Sequence, residues 1–593
     1  MSDQGMSARD LLISLKRFGR NDQLILSVMA VVIGLASGLA AIAFRYAIDI
    51  AQQLFYGFGG ERVATLAAAL PWWQVVLAPT VGGHIIGLLV HFGMPGRRPQ
   101  GVADVIEASA LRGGRMSLTN GFRAAVISAL SIGCGASVGR EGPVVHLGAS
   151  LGAWVGKRFQ FGRTLSRTLL GCGVAAAIAA SFNAPIAGSF FALEVVIGHY
   201  ALSAFAPIVI ASVTGTVISR MHYGDFPAFV LPSEFGIASF WEFPAFILLG
   251  IVSALAAVLF MRSIFYTEDL VKRVPAPPWT RPAVGGLLVG LMAVAFPQVL
   301  GVGYEATDAA LSELYPLWLL IALIAVKTAA TGASLGCGFG GGVFSPSLFI
   351  GAMVGGAFGI IATSAFPHLS SGHGAYTLIG MGAVAGAVLG APISTILMVF
   401  ELTSDYALTI AVMVATVIAS IITQQGFGRS FFAWQLERRG ISIKGGQEIG
   451  LLRAVKISSV MDSRYAAVPP DASLAEVKLA LQHAPWGELF VVDADGRLVG
   501  RISFTDVQEI IFDEEQDGEV TALSVARDHP TVLKADDDLS TAIKVYGASG
   551  EVHLPVVGGA DAMTMLGLAH EHEVMLAYQR ALSQARAEER GEA

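Results

Sequence analysis

An acidic side chain flanked by glycine and proline lies inside a long apolar stretch of the chain. Residues 139–143 read Gly-Arg-Glu-Gly-Pro, within an apolar run over residues 122–155. An ionised side chain at membrane depth costs roughly 3 kcal/mol on insertion scales, so Glu141 is a functional candidate. Pro143 suits the first turn of a helix, whose free N–H groups and positive end favour an anion. The pattern predicts an anion site that the Glu141 carboxylate can itself occupy; a structural ion pair with Arg140 is the alternative.

The elements that must position this motif are apolar and fill most of the chain. Of the 593 residues, 54% are hydrophobic and 14% are charged, whereas soluble domains carry about 25% charged residues. We therefore expect a multi-pass protein of the lipid bilayer. Apolar runs cover residues 24–48, 66–92, 122–155, 169–197, 201–220, 243–262, 283–296, 317–333, 343–366, 376–400 and 407–423. Several are short or broken by Gly and Pro, which membranes tolerate only where protein or a water-filled cavity covers the backbone.

Two halves of this apolar region repeat the same motifs in the same order. Gly-Pro-Val-Val-His-Leu-Gly-Ala at residues 142–149 matches Ser-Pro-Ser-Leu-Phe-Ile-Gly-Ala at residues 345–352. Ala-Pro-Ile followed by Glu194 in the first half matches Ala-Pro-Ile followed by Glu401 in the second. Paired interrupted segments indicate a transport site at a repeat interface. We expect an all-α multi-helix membrane domain with two inverted-topology repeats, in which Glu194 and Glu401 pair or cap rather than bind ions.

The character of the chain changes after residue 432. Two similar units follow a polar connector, and each has the order helix, strand, turn, strand, helix. The predicted elements are a helix over 473–482, strands over 488–493 and 498–503 and a helix over 505–512, then a helix over 539–546, strands over 553–557 and 565–569 and a helix from Glu571. Residues 500–507 align with residues 567–574, which places Glu573 at the Asp506 position. This region is expected to be a cytosolic α/β tandem domain, and its His570–Glu573 segment a surface helix rather than a metal site.

Taken together, these motifs resemble the CLC family of chloride channels and chloride/proton exchangers, with a C-terminal pair of cystathionine-β-synthase (CBS) domains. The most specific stretches are residues 139–143, the Gly-Val-Phe-Ser-Pro of residues 342–346 and the Phe-Asn-Ala-Pro-Ile-Ala-Gly of residues 182–188. The resemblance implies a homodimer in which each subunit binds chloride or another small anion at helix N-termini from both halves. It makes Glu141 the gate. By motif match the anion-binding residues are Gly139, Arg140, Gly142, Val343, Phe344, Gln100 and Phe432.

Two of these positions depart from the family pattern. Gln100 stands where the family usually has a serine near the central anion site, so selectivity for chloride does not follow. Its amide either donates to the anion or points away while the backbone binds. Phe432 corresponds to the inner-gate tyrosine, with Phe431 as the rival alignment. Phenylalanine keeps the bulk of tyrosine but has no O–H to donate.

A third departure bears on proton coupling. Family exchangers commonly carry an internal glutamate that passes protons, and Val195 occupies that position here. Valine cannot hold a proton, so we predict a voltage- or pH-gated anion channel. Chloride/proton exchange is the alternative, because some exchangers manage without that glutamate. Two further hypotheses for the function are weaker: a fluoride exporter, and a nucleotide sensor with a non-conducting membrane part. The absence of hydrolytic or phosphate-loop motifs argues against an enzyme.

The resemblance also bears on the cytosolic part and on topology. Adenine nucleotide binding at Ser503, Thr505 and Asp506 is one reading of the CBS pair, and a purely structural clamp is the other; no further cofactor is expected. The acidic balance, net charge −7, argues against nucleic acid as a partner. Basic residues near the N-terminus predict cytoplasmic termini in the inner (plasma) membrane. The expected domains are residues 1–23 (cytosolic), 24–436 (membrane), 437–456 (linker), 457–513 and 514–582 (CBS), and 583–593 (polar tail).

Overall fold

A computed structural model describes residues 22–225, 229, 236–441, 455–484, 486–508, 510, 520–558 and 563–590. Residue 22 and residues 584–590 are described by their backbone alone. The chain forms two compact units, residues 1–442 and 443–593. Most of the expected N-terminal segment 1–23 and of the expected linker 437–456 lies outside the described residues.

The first unit is built of α-helices, as its apolar runs predict. In chain order these are α1 (Asp22–Tyr56), α2 (Val63–Ala68), α3 (Trp72–Gly93), α4 (Val102–Leu111), α5 (Leu118–Gly133), α6 (Glu141–Arg158), α7 (Arg163–Phe182), α8 (Pro185–Phe191), α9 (Leu202–Tyr223), α10 (Phe243–Arg273), α11 (Arg281–Ala295), α12 (Tyr304–Leu311), α13 (Leu317–Gly336), α14 (Phe344–Ala365), α15 (His373–Leu389), α16 (Pro392–Thr403), α17 (Tyr406–Phe427) and α18 (Phe431–Glu437). In the described part of the chain, eight helices are long and apolar enough to cross a membrane.

The helices break where glycine and proline predict it, and the breaks recur in both halves. After α7, Asn183 adopts the left-handed conformation (φ 60°), and α8 then starts with Pro185 at its first position. After α15, Gly390 adopts the same conformation (φ 68°), and α16 starts with Pro392. Proline suits a helix start because its missing N–H would have no partner there. Equivalent helices in the two halves therefore begin with the same local chemistry.

Reciprocal hydrogen bonds join the two halves at these breaks. The Glu401 carboxylate accepts from the backbone N–H groups of Ile186 and Ala187, at 2.8 and 2.7 Å, and so caps the start of α8. In the opposite direction, Glu194 accepts from two N–H groups of the first turn of α16, at 3.0 and 2.9 Å. Each carboxylate therefore satisfies orphan donors of the other half. The predicted capping role of both glutamates is confirmed, and the same arrangement occurs once in each direction between the two halves.

The second unit contains two small sheets flanked by helices. Its strands are β1 (Ala467–Val468), β2 (Glu488–Val492), β3 (Leu498–Ser503), β4 (Arg527–Asp528), β5 (Leu533–Lys534), β6 (His553–Gly558) and β7 (Thr564–His570). The first sheet has the order β1-β2-β3-β4 and the second β5-β6-β7, with β1 parallel to β2, β5 parallel to β6, and the other neighbours antiparallel. Its helices are α19 (Leu474–His483), α20 (Phe504–Val507), α21 (Ala522–Val525), α22 (Leu539–Ser549) and α23 (Glu571–Arg590).

This arrangement matches the predicted pair of repeated units, and each unit has its own apolar core. The predicted strands agree with β2, β3, β6 and β7 to within a residue at either end. The helix predicted over 505–512 is seen over Phe504–Val507, and most of its remaining residues lie outside the described part. Helix α23 runs to Arg590, so the backbone is helical into the segment expected as a polar tail.

Candidate anion pathway

The two glycine-rich motifs of the membrane unit meet in a short antiparallel bridge. Gly139 donates its N–H to the carbonyl of Gly342 at 2.7 Å, and Gly342 donates to Gly139 at 2.8 Å. A side chain at Gly142 would place its Cβ only 3.1 Å from the Gly342 Cα, so glycine permits this close approach. The bridge brings the first turn of α6 beside the first turn of α14. Because the Gly139 N–H is engaged in the bridge, it is not free to bind an anion in this conformation.

The Glu141 carboxylate lies at the start of α14, the corresponding helix of the other half. Glu141 is 0% exposed. Its Oε2 accepts from the Ser345 hydroxyl at 2.5 Å and from the Ser345 backbone N–H at 3.3 Å. Its Oε1 accepts from the Tyr304 hydroxyl at 2.8 Å. A carboxylate at a helix N-terminus occupies the position that favours an anion, as the sequence predicts.

The Arg140 side chain points mainly at a different acid. Its Nη1 lies 3.0 Å from Glu61 Oε1, whereas its Nε lies 4.0 Å from Glu141 Oε1. The guanidinium carbon also lies 4.5 Å from the centre of the Tyr304 ring. The closest partner of Arg140 is therefore Glu61, and the alternative of a simple Arg140–Glu141 pair does not describe the contacts.

A cavity of about 490 Å³ runs beside this carboxylate. Of the residues predicted to bind the anion or gate it, the structure places these in its lining: Gln100, Glu141, Gly142, Val343, Phe344 and Phe432. Arg140 lines a separate cavity of about 40 Å³ together with Tyr304 and Glu61. Most of the predicted set is thus brought together around one space.

Basic side chains outnumber acidic ones around the larger cavity. Six lysines and arginines line it, against the two acids Glu141 and Glu268; the six are Arg97, Arg98, Lys272, Arg281, Arg438 and Arg439. Four of the six are paired with acids: Arg98 and Arg439 with Asp104, at 2.6 and 3.2 Å, Lys272 with Glu268 at 2.5 Å, and Arg438 with Asp269. A cleft lined by one sign of charge concentrates ions of the other sign. With Asp104 and Asp269 counted beside Glu141 and Glu268, six cations stand against four acids, so the positive excess around the cavity is small.

Phe431 and Phe432 both line the cavity, but their packing differs. The Phe431 ring stacks on Phe265, with 5.2 Å between ring centres and 27° between ring planes. Phe432 is also buried and meets Phe431 edge to face at 5.8 Å. Phe265 lines the same cavity, so the contacts do not separate Phe431 from Phe432 as the residue at the inner-gate position.

Val195 lies on a π-helical turn, Ala192–Ile197, that follows α8. It does not line either of the two cavities among the described residues. Its neighbour Glu194 is the cap of α16, and both of its carboxylate oxygens accept backbone N–H groups. The carboxylate at this turn, that of Glu194, therefore already has structural partners in the described part of the chain.

Two residues that support this region, Tyr304 and Lys327, were not predicted from the sequence. Tyr304, the first residue of α12, contacts the carboxylate directly, yet no motif marks it. Lys327 is 0% exposed within α13 and donates to the carbonyls of Val299 and Gly301, at 3.1 and 3.0 Å. It thereby holds the loop that leads into Tyr304. The signal for Lys327 was present, because it is an ionisable residue in the apolar run 317–333.

In the second unit, Asp506 is already bound within the chain. Its Oδ2 accepts from the Ser503 backbone N–H at 2.8 Å and from the Ser503 hydroxyl at 2.5 Å, and its Oδ1 accepts from Arg527 at 2.6 Å. The Thr505 hydroxyl lies 2.7 Å from that of Ser503. Burial favours the neutral acid, but these hydrogen bonds outweigh it and hold the pKa of Asp506 below its ordinary value. The three predicted residues are thus adjacent, with an ionised carboxylate at the start of α20.

The second CBS-like unit differs at the matching position. Glu573 is exposed on the first turn of α23, together with Glu571 and His572. His570 precedes them at the end of β7, and its ring packs 4.1 Å from that of Trp486. The segment forms the start of a helix, as expected.

A family model described as the voltage gated chloride channel matches residues 82–424, more than half of the chain. The chain belongs to the CLC family. A CBS domain model matches residues 457–513. This CLC protein is 36% identical over 383 residues to a ClcB-like chloride channel protein of Ralstonia nicotianae, an alignment covering 64% of this chain and 89% of the relative.

Solved CLC structures have the same fold. A slow cyanobacterial Cl⁻/H⁺ antiporter aligns with a TM-score of 0.62 and 24% identity, covering 70% of this chain and 97% of the other. A eukaryotic CLC transporter aligns with a TM-score of 0.61 and 19% identity, covering 95% and 98%. The protein is accordingly a multi-pass membrane protein of the CLC chloride channels and transporters, with a C-terminal CBS region.

Proposed function

We propose that this CLC protein is an anion channel in which Glu141 is the gate. The observation that carries the proposal is the position of its carboxylate, buried at the start of α14 beside a cavity lined by an excess of cations. Ionised, the side chain occupies the place of a permeating anion. Protonated or displaced, it leaves that place to chloride, to which the Ser345 N–H and hydroxyl that now bind the carboxylate can donate. By motif match, the N–H groups of Gly142, Val343 and Phe344 are further donors.

A channel is preferred to an exchanger because the inner part of a proton route lacks an acid. Val195 cannot be protonated, and adjacent Glu194 is committed to capping α16. Chloride/proton exchange is the second candidate, and it is favoured by the fold shared with a cyanobacterial Cl⁻/H⁺ antiporter. Chloride is the expected anion; Gln100 in the cavity wall leaves the ranking of other anions open to measurement.

Proton flux distinguishes the two candidates. The purified full-length protein is placed in liposomes with a chloride gradient, and chloride and proton movements are recorded together. We expect chloride to move down its gradient without driving protons uphill. A protonophore added at the end shows that the vesicles were tight and that the pH probe responded. Uphill proton movement in a fixed ratio to chloride would replace the channel by an exchanger.

We also propose that the protein works as a homodimer in the plasma (inner) membrane, with both termini in the cytoplasm, and that it catalyses no chemical reaction. Basic residues before the first helix and the acidic C-terminal region support this orientation. The mass of the complex in detergent tests the dimer, and protease access to the C-terminal region in sealed inverted vesicles tests the topology.

For the CBS pair we propose adenine nucleotide binding at Ser503, Thr505 and Asp506, which modulates the pathway. Its support is the ionised Asp506 beside two hydroxyl groups. A ligand that binds only the folded state raises its stability with ligand concentration. We therefore expect AMP, ADP or ATP to raise the melting temperature of the CBS region in the full-length protein, and Asp506→Ala to abolish that shift.

The matched control is Glu476→Ala. Glu476 makes the same capping arrangement with Ser473 at the start of α19, at 2.8 Å to the backbone N–H. Both variants lose a helix cap, but only Asp506→Ala is expected to lose the response. If nucleotides do not change the melting temperature of the unmodified protein, the CBS pair has only a structural role.

A further inference from the structure

We propose that Tyr304 and Ser345, the hydroxyl clamp, hold the ionised Glu141 side chain in place and set the pH at which the pathway opens. This clamp rests on the gating role proposed for Glu141 above. Tyr304 lies on α12 and Ser345 on α14, so two separate helices donate hydrogen bonds to one carboxylate. Both are positioning residues: they act on the anion pathway through Glu141.

The contacts leave little freedom to the carboxylate. Tyr304 binds one oxygen at 2.8 Å, and the Ser345 hydroxyl binds the other at 2.5 Å. All three side chains are buried, Tyr304 at 4% and Ser345 at 2% exposure. Hydrogen bonds from hydroxyl groups to an ionised carboxylate are about twice as strong as those to a neutral acid. The clamp therefore favours the ionised, bound form over the protonated, released form.

Among the charged groups around Glu141, Arg140 also favours the ionised carboxylate but from further away, whereas the nearby acids oppose it. Arg140 is the cation that faces the carboxylate, at 4.0 Å. It is shared with Glu61, which also binds Arg45 at 2.7 Å. Asp49 lies close enough to this group to interact with Arg45, Glu61 and Arg140 electrostatically. Because Arg140 is partly neutralised by Glu61, the direct hydroxyl contacts remain the closest support of the ionised carboxylate.

The hydroxyl of Tyr304 can be removed without removing its ring. Tyr304→Phe keeps the aromatic face under Arg140, which lies 4.5 Å from the ring centre. It removes one charge-assisted donor from Glu141, so the ionised form loses stability relative to the protonated one. Protonation then occurs at lower proton concentration. The half-activation pH of chloride flux should rise, by about one pH unit for the loss of one such bond.

The experiment measures chloride efflux from liposomes that contain the full-length protein, over a series of pH values equal on both sides. We expect Tyr304→Phe and Ser345→Ala each to move the half-activation pH upward. The matched control is Tyr376→Phe: Tyr376 is also buried and donates to a glutamate, Glu242, at 3.0 Å. Glu242 lines neither of the two cavities among the described residues, so this control should leave the half-activation pH unchanged.

A double variant shows whether Tyr304 acts through Glu141. In a Glu141→Gln background no carboxylate is left to hold, so adding Tyr304→Phe should produce no further change in the pH profile. An equal pH shift in both backgrounds would overturn the clamp, as would an unchanged profile in both Tyr304→Phe and Ser345→Ala. If Tyr304→Phe fails to purify as a folded protein, Ser345→Ala carries the test alone.

The two proposals fail in different ways. If Glu141→Gln keeps the pH dependence of the unmodified protein, the gating role of Glu141 is wrong and the clamp falls with it. If Glu141→Gln loses the pH dependence while neither hydroxyl variant moves the half-activation pH, only the clamp is wrong.

Discussion

Glu141→Gln is expected to hold the anion pathway open at neutral pH and to remove most of its pH dependence. The amide has nearly the same size as the carboxylate but carries no charge, so it cannot stand in for an anion at the start of α14. It also weakens the charge-assisted bonds from Tyr304 and Ser345. Chloride efflux from liposomes at neutral pH should exceed that of the unmodified protein by about tenfold or more. A change of this size is what the closed state loses in stability when one charge-assisted hydrogen bond is removed.

Glu242→Gln is a closely matched control for this substitution. Glu242 is buried and accepts from the Tyr376 hydroxyl at 3.0 Å and from the Ser371 backbone N–H at 2.6 Å. It also accepts from the Ser371 hydroxyl. Its donors are therefore of the same kinds as those of Glu141. If Glu242→Gln opened the pathway as Glu141→Gln does, the effect would come from a loosened fold rather than from a gate.

Glu401→Ala is expected to lower the thermal stability of the membrane unit. The carboxylate accepts two backbone N–H groups of α8, at 2.8 and 2.7 Å, and the alanine leaves both without this partner. Loss of a side chain that caps a helix start costs about 0.5–2 kcal/mol, and water can reach part of this start, since Ile186 is 43% exposed. The temperature at which half of the detergent-solubilised protein aggregates should fall by several degrees in Glu401→Ala. It should fall less in Glu401→Gln, because the amide keeps one oxygen that can accept a hydrogen bond.

Glu268→Ala provides the comparison, because Glu268 makes an exposed ion pair with Lys272, four residues along α10. Exposed ion pairs of this kind contribute little to the free energy of unfolding. The aggregation temperature of Glu268→Ala should therefore stay near that of the unmodified protein. Equal losses for the two alanine variants would contradict the capping role of Glu401. A change in anion selectivity with unchanged stability would instead make Glu401 an ion ligand.

The local chemistry of the chain was enough to predict where several of the broken helices begin. A carboxylate, two glycines and a proline in an apolar run predict a helix that begins at membrane depth, and α6 does begin at Glu141. The repeated Ala-Pro-Ile segments predict two further helix starts, which are seen at Pro185 and Pro392. These predictions succeed because proline, glycine and a helix terminus act on the backbone within a few residues of themselves.

The partners of each group could not be predicted in the same way. The sequence predicts that Glu194 and Glu401 cap or pair, but it does not show that each caps a helix of the opposite half. Tyr304 carried no sequence signal at all, although its hydroxyl is one of the closest groups to the Glu141 carboxylate. Side chains separated by more than a hundred residues meet only through helix packing, and the periodicity of a single helix does not contain that information.

The sequence by itself determined that the chain is a membrane protein of paired halves with a carboxylate at a helix start, since composition and local backbone preference depend on neighbouring residues alone. Only the tertiary structure decided what holds that carboxylate: α6 begins beside α14, and α12 supplies a hydroxyl to it. The physical reason is that a hydrogen bond needs its two atoms within about 3 Å. Between distant segments that distance is fixed by how whole helices pack.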